Sequence, residues 1–285
     1  MKIIFLGAGY CSKFIIPKLP KTAKIICTHY QKTRNQPFDS RYELTRIKFD
    51  DLKKNNKYFE NVTHILNSIP PQPDGDIALS NFKKQLIINK KTLRWVGYFS
   101  STSVYGDHSG KWVDENSLPK HLSKRGYGRL NAEKEFLSLF VKNNLPIHIL
   151  RLPGIYGPGR SIFERLKSGR FCRIIKKNHF FSRIHVEDIA LALLASFKKP
   201  TPGEIFNITD DFPCNSDEIV KFGCKLLKKE LPAPVSLESD KVSEMTRSFY
   251  SDNKRVSNKK IKRILDWTPK FINYKLGIKD IFNHL

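Results

Sequence analysis

Cysteine is scarce in this chain of 285 residues: Cys11, Cys27, Cys172, Cys214 and Cys224 are widely separated, and no two form a C-x-x-C pair. That spacing excludes a disulfide framework and a cysteine-based zinc site, and it suits reduced thiols in the cytoplasm. No run approaches the ~20 apolar residues that span a bilayer, so no membrane role is expected. The apolar start, MKIIFLGAGYC, lacks a long apolar core followed by a small-residue cleavage site, and it reads as a strand and turn. His64, His108 and His148 stand at no metal-ligand spacing, and no metal is assigned. Negative charge is short as well, with 27 acidic side chains against 51 Lys and Arg and a formal net charge of +24. The excess runs from Lys2 to Lys279 with one denser stretch at residues 254–263, and no nucleic-acid motif goes with it. A solvated basic surface is the expectation, with no specific nucleic-acid partner.

What is present is an alternation. Apolar runs at KIIFLGAG, AKIICTHY, RIKF, VTHILNS, RWVGYFSS and PIHILRLP read as strands. Stretches with apolar residues at helical spacing lie among them, including DIALSNFKKQLIINKK and YGRLNAEKEFLSLFVKNN. This is the pattern of βαβ units, and the fold class it predicts is α/β, a Rossmann-like doubly wound parallel sheet with a smaller C-terminal lobe. The expected boundaries are residues 1–152 for a dinucleotide-binding domain, completed by about 182–211, with 153–181 and 212–285 forming a substrate-binding lobe. GIYGPGRS reads as a loop and HVEDIALALLASFKK as a buried helix.

Gly7, Ala8, Gly9, Tyr10, Cys11 and Ser12 leave the first strand and open a helix. That context makes the G-x-G-x-x-S string a candidate phosphate turn. Gly7 permits the tight turn, Gly9 lets backbone approach a pyrophosphate, and Ser12 replaces the glycine that serves helix–strand packing. The carboxylate expected at the end of the second strand for NAD is missing: Thr28, His29 and Tyr30 stand there, and no acid comes before Asp39. Lys32 and Arg34 follow, and a cation in that loop could pair with a 2′-phosphate. The cofactor expected is therefore NADP, with NAD as the alternative.

Four strings occur in order: YFSSTSVYGD, LRLPGIYGPG, RIHVEDIALAL and ILDWTPKF. Together they resemble the extended short-chain dehydrogenase/reductase family of NAD(P)-dependent epimerases and dehydratases, over nearly the whole chain, and the altered turn suggests an atypical branch. The resemblance implies that Ser101 hydrogen-bonds the reacting oxygen, with Thr102 beside it. It implies that Asp50 contacts adenine, that Asn67, Ser68 and Ile69 line the cofactor, and that Leu152, Pro153, Gly154 and Ile155 lie by the nicotinamide. His185 and Asp188 match a pair that looks structural.

The family's catalytic Tyr-x-x-x-Lys is incomplete here. Tyrosine, pKa near 10 unperturbed, exchanges a proton with substrate, and a lysine one helical turn later lowers that pKa and holds the cofactor ribose. Counting from Tyr127 puts Asn131 in the lysine position. Matching the family's Ala-Glu pair to Ala132 and Glu133 puts Arg129 there instead, and Arg125 replaces the tyrosine. Spacing from Ser101 favours Tyr127, while the downstream pattern favours the arginines.

The expected function is hydride transfer on a hydroxyl or carbonyl of a small, anionic or sugar-derived substrate. The alternative is a catalytically silent NAD(P)H-binding sensor or scaffold. Phe181 stands where family members acting on sugar nucleotides have a phosphate-binding arginine, with Arg183 nearer His185, and Arg160, Lys167, Arg170 and Arg173 offer cations for an anion. SNFKKQLIINKK and NAEKEFLSLFVKN are the helices that would build a homodimer.

Overall fold

The computed structural model describes residues 1–29, 41–169 and 172–285. In chain order its elements are β1 (Lys2–Leu6), α1 (Ser12–Ile15), β2 (Lys24–His29), β3 (Glu43–Lys48), α2 (Phe49–Lys54), β4 (His64–Asn67), α3 (Ile77–Ile88), β5 (Trp95–Ser101), β6 (Trp112–Val113), α4 (Lys124–Asn143) and β7 (Ile147–Leu152). There follow β8 (Gly154–Tyr156), α5 (Ile162–Lys167), β9 (Arg183–His185), α6 (Val186–Lys198), β10 (Ile205–Asn207), α7 (Ser216–Leu227), α8 (Glu244–Tyr250), β11 (Arg255–Val256), α9 (Lys259–Leu265) and α10 (Tyr274–Asn283). The chain divides into two compact units.

The first unit comprises Met1–Ser101, Tyr127–Arg151 and Ala190–Phe206. Its sheet runs β10-β7-β5-β4-β1-β2-β3. β1 pairs in parallel with both β2 and β4, and the order reverses there, which makes the carboxyl end of β1 a topological switch point. Strand alternation sorts the side chains. Ile4, Leu6, Ile65, Val96 and Tyr98 pack under Phe82 of α3 and Phe136 of α4 in one continuous core. On the opposite face Trp95 donates its indole N–H to Ser196 Oγ of α6 at 2.8 Å and stacks on His148. Gly97 makes that possible, because a Cβ there would lie 1.8 Å from the indole. The first helix is shorter than the sequence suggests. Pro17 has no N–H to continue an α-helical ladder, and α1 passes into a 3-10 turn at Ile16–Lys18.

The second unit comprises Thr102–Gly126, Leu152–Ile189 and Asn207–Leu285. It claims residues 102–126, which the sequence-based boundary placed in the dinucleotide domain. β6 pairs with β11, and Asp107 accepts the Asn253 N–H at 2.8 Å, so this excursion is stitched to the C-terminal segment. The stretch read as a loop at GIYGPGRS begins as a strand, β8, in parallel with β9. A second apolar cluster gathers Tyr156, Phe163, Val220, Tyr274 and Ile278.

Candidate functional site

The turn after β1 is braced from both sides. Gly7 sits at φ +79°, its N–H donates to Thr28 Oγ1 at 2.9 Å, and the Ala8 N–H donates to Thr28 O at 2.9 Å. The threonine that ends β2 in place of an acid therefore holds the turn. From β4, Ser68 Oγ donates to Gly7 O at 2.5 Å, and a Cβ on Gly7 would lie 2.7 Å from Ile69 Cγ1. Asn67 sets this wall, giving its Nδ2 to buried Asp76 at 3.0 Å and accepting the Ile69 N–H at 3.0 Å. Burial pushes the Asp76 carboxyl up despite those hydrogen bonds.

Gly9 differs from Gly7. A Cβ there would meet only Gly7 O, at 3.8 Å, so the backbone at Gly9 faces open space, as the approach of a phosphate requires. Buried Ser12 donates its hydroxyl to Gly9 O at 2.6 Å and closes the turn on itself. Tyr10 packs on Phe14 with ring centroids 5.2 Å apart, and Cys11 caps α1. These residues fit a dinucleotide's pyrophosphate.

The other expected contacts are less concentrated. Asp50 is exposed in the first turn of α2 and pairs with Lys53 at 2.9 Å, which holds its carboxyl below the usual range. Its side chain is thus engaged within its own helix. Lys32 and Arg34, and with them the residue-level argument for NADP, lie outside the described residues, as does Arg170. Ser101 ends β5 and is half-buried. Thr102, Pro153, Gly154 and Ile155 belong to the second unit.

Helix α4 separates the two catalytic registers. Its buried positions are Gly126, Arg129, Ala132, Glu133, Phe136 and Leu139, one stripe at helical spacing. Tyr127, two residues from Arg129 and so about 200° around the helix, is 58% exposed, and Asn131 is exposed beside it. The face of α4 that meets the sheet carries neither Tyr127 nor Asn131. Arg129 does meet it: Nη1 donates to Phe99 O at 2.6 Å and to Tyr98 Oη at 3.1 Å. Glu133 lies one turn on. It accepts from Ser100 Oγ at 2.5 Å, from Arg151 Nε at 3.0 Å and from Arg151 Nη2 at 2.7 Å. This buried lattice joins α4 to β5 and β7 just before Ser101. Arg125, in the tyrosine's place, lies 5.6 Å from the centroid of the Phe249 ring in the second unit.

Sequence reasoning missed Ser100 and Arg151. The available signal was a charged residue inside the apolar run HILRL, since a buried charge needs a partner.

In the second unit, Asp188 accepts the backbone N–H groups of Lys270 and Phe271 at 2.6 and 3.1 Å, and His185 packs on Phe271 and Tyr156. Burial takes the His185 pKa down to about 4. Phe181 sits in an aromatic group with His179 and Tyr250, while Arg183 donates to Phe181 O and Cys214 O. Arg173 is committed to Asp217 at 2.6 Å. Among the described residues no group of three or more His, Cys, Asp or Glu side chains could hold a metal ion, and no helix is long and apolar enough to cross a membrane.

No family model matches the chain. Human dTDP-D-glucose 4,6-dehydratase is 28% identical over 200 residues, covering 64% of this chain and 53% of the relative. The chain thus spans about half the length of the curated relatives it matches. A conserved protein of unknown function from Silicibacter pomeroyi DSS is 36% identical, with a TM-score of 0.91 and coverage of 99% of this chain and 98% of that one. A dTDP-glucose 4,6-dehydratase from Bacillus anthracis, solved in complex with NAD, is 20% identical, with a TM-score of 0.77 over 99% and 96% of the two chains. At that identity the likeness is one of fold.

Proposed function

We propose that the chain, which is similar to NAD-dependent epimerases and dehydratases of the extended short-chain dehydrogenase/reductase type, binds a nicotinamide dinucleotide without running that family's tyrosine-dependent proton transfer. On this reading it is a dinucleotide-binding sensor or scaffold. Gly7, Gly9 and Ser12 hold the pyrophosphate, with Ser68 and Ile69 as the wall beside it, and Pro153, Gly154 and Ile155 remain proposed contacts of the nicotinamide. The observation that carries the reading is the inner face of α4. Arg129 and Glu133 are buried against β5 while Tyr127 is exposed, which supports the register that puts positions 125 and 129 in the places of the tyrosine and the lysine. An arginine keeps a positive charge there but does not exchange protons near neutral pH.

The dinucleotide would supply hydride chemistry when bound. Of this chain's own groups, Ser101 would hydrogen-bond a reacting oxygen, and no group on the inner face of α4 would move its proton. NAD is the first cofactor to test, because the similar dehydratase structure holds NAD.

A second reading keeps the enzyme. Tyr127 follows Ser101 at the family's interval, and as acid/base it would make the protein an oxidoreductase or epimerase acting on a small hydroxyl or carbonyl compound. Phe181, in place of the phosphate-binding arginine, weighs against a sugar nucleotide as that compound.

Titration with NADH and NADPH, read by energy transfer from the three tryptophans, tests binding. A carbonyl and sugar-nucleotide panel, with Tyr127→Phe alongside, then separates the readings. Binding without turnover is the expected result. One good substrate whose turnover depends on Tyr127 would establish the second reading.

A further inference from the structure

We propose that Asp210 is a proton latch for the C-terminal segment: in the folded chain it keeps its proton near neutral pH, and losing that proton as the pH rises loosens α9 and α10 from the second unit. The latch does not depend on what the first unit binds.

Asp210 sits at a junction. Its own N–H donates to Arg183 O of β9 at 2.7 Å. On one side of it, Thr209 O accepts Nδ2 of Asn258, at the head of α9, at 2.8 Å. On the other, the Asp211 N–H donates to Ile272 O, two residues before α10, at 3.0 Å. The Asp211 carboxylate also holds Asn258 Nδ2 at 2.7 Å and Lys262 Nζ of α9 at 2.6 Å. Both C-terminal helices therefore hang on residues 209–211.

The side chain in the middle of this junction is badly placed for a charge. Asp210 is 1% exposed, its Oδ1 accepts a single N–H, from Phe212 at 3.2 Å, and its Oδ2 has no partner. Among the described residues no cation lies within ion-pair distance of it. A carboxylate taken out of water needs several donors or a partner cation, and without them it stays protonated. Asp188 supplies the contrast. It is buried as deeply but accepts two N–H groups, and burial raises its pKa only to about 6, whereas burial takes Asp210 to about 8.

The groups facing Asp210 form a constant background above pH 6. Arg183 of β9 is a permanent cation, with Nη1 on the carbonyls of Phe181 and Cys214. Asp188 of α6 and Asp211 are ionised there. Tyr156 of β8, Tyr274 of α10 and Cys214 are all pushed up by burial and stay neutral, and His185 of β9, at about 4, is neutral too. An opened aspartate titrates near 3.9. Between that value and about 8 the folded chain holds a proton that the opened chain releases. The stabilisation is complete below the lower value and is lost as the pH rises through the upper one.

The test is amide hydrogen exchange of the full chain, read by mass spectrometry from pH 6 to 9 and corrected for intrinsic rates, with Asp210→Asn as the permanently neutral form. Protection of residues 259–283 in the variant, divided by that in the unaltered chain, should rise about tenfold per pH unit from pH 6 to 7.5 and level off by pH 9. Residues 77–88 of the first unit should show no such rise. Carbon-13 NMR of the unaltered chain labelled in aspartate guards against a variant that does not fold: one carboxyl should titrate above pH 7. A flat ratio, an equal rise in residues 77–88, or aspartates that all titrate below pH 7 would overturn the latch.

Discussion

The turn after β1 and the inner face of α4 belong to the same compact unit, yet they depend on sequence in different ways. The turn is fixed by backbone shape. Gly7 has a left-handed φ and no room for a Cβ, and its hydrogen bonds come from Thr28 and Ser68, two small hydroxyl residues. The face of α4 is fixed by buried charge, with Glu133 paired to Arg151 and hydrogen-bonded to Ser100, and Arg129 donating to Phe99 O and Tyr98 Oη at the end of β5. A shape-based site tolerates few residues, while a charge-based site can change its chemistry as long as every buried charge keeps a partner. That difference is how a chain can keep a glycine turn of this shape and lack a tyrosine–lysine pair.

The comparison can be broken most severely at Glu133. Removing one member of a buried ion pair leaves the other charge stranded, and Glu133→Ala should cost about 3–5 kcal/mol in denaturant unfolding; a loss under 1 kcal/mol would mean that the lattice does not hold α4. Next comes the opposite face of the sheet, where the ionisable groups are neutral histidines. His148 accepts the Thr201 N–H at Nε2, gives Nδ1–H to Pro146 O, and is held by burial at a pKa of about 4 against 6.5 unfolded. The folded state then binds fewer protons than the unfolded one between those values. Stability from this group is complete above pH 6.5 and falls as the pH drops toward 4, by on the order of 3 kcal/mol. Unfolding midpoints recorded from pH 7.5 to 4 should show that slope, and His148→Gln should reduce it without removing it, because burial also holds His64, His179 and His185 at a pKa of about 4.

The turn itself gives a sharper, smaller contrast. Gly7→Ala forces a strained φ and a contact with Ile69 and should cost about 1–3 kcal/mol together with dinucleotide binding. Gly9→Ala should leave stability unchanged and weaken binding alone, because its Cβ would occupy only the open space that the phosphate is proposed to use. If both variants bind NADH normally, the turn is not the site. The smallest effect is expected at Tyr127→Phe, within about 0.5 kcal/mol of the parent and without effect on dinucleotide affinity, since the ring is exposed.

Much of the unit that carries the turn was legible in advance. Short, near-continuous apolar runs, buried on both faces of the sheet, marked β1, β2, β4, β5 and β7, and a glycine pair after β1 marked the turn. The signal was weaker where backbone conditions intervened. Pro17 cut α1 short, and β8 hid in a glycine-rich stretch because three residues are too few to show a period. The site was half legible. Arg129 could be named as a candidate, with Glu133 only as part of the pair that set its register, but their partners lie on β5 and β7, and no local pattern pairs Ser100 with Glu133.

The sequence by itself determined the parallel α/β architecture and the glycine turn after β1, because both follow from local periodicity and from the conformations open to glycine. Only the tertiary structure decided which residues of α4 face the sheet. The helix could be read in two registers that differ by two residues, about 200° of rotation, and both have plausible polar groups. Arg129 and Glu133 turn inward through contacts with Phe99, Ser100 and Arg151, which become neighbours of α4 only when the sheet has formed.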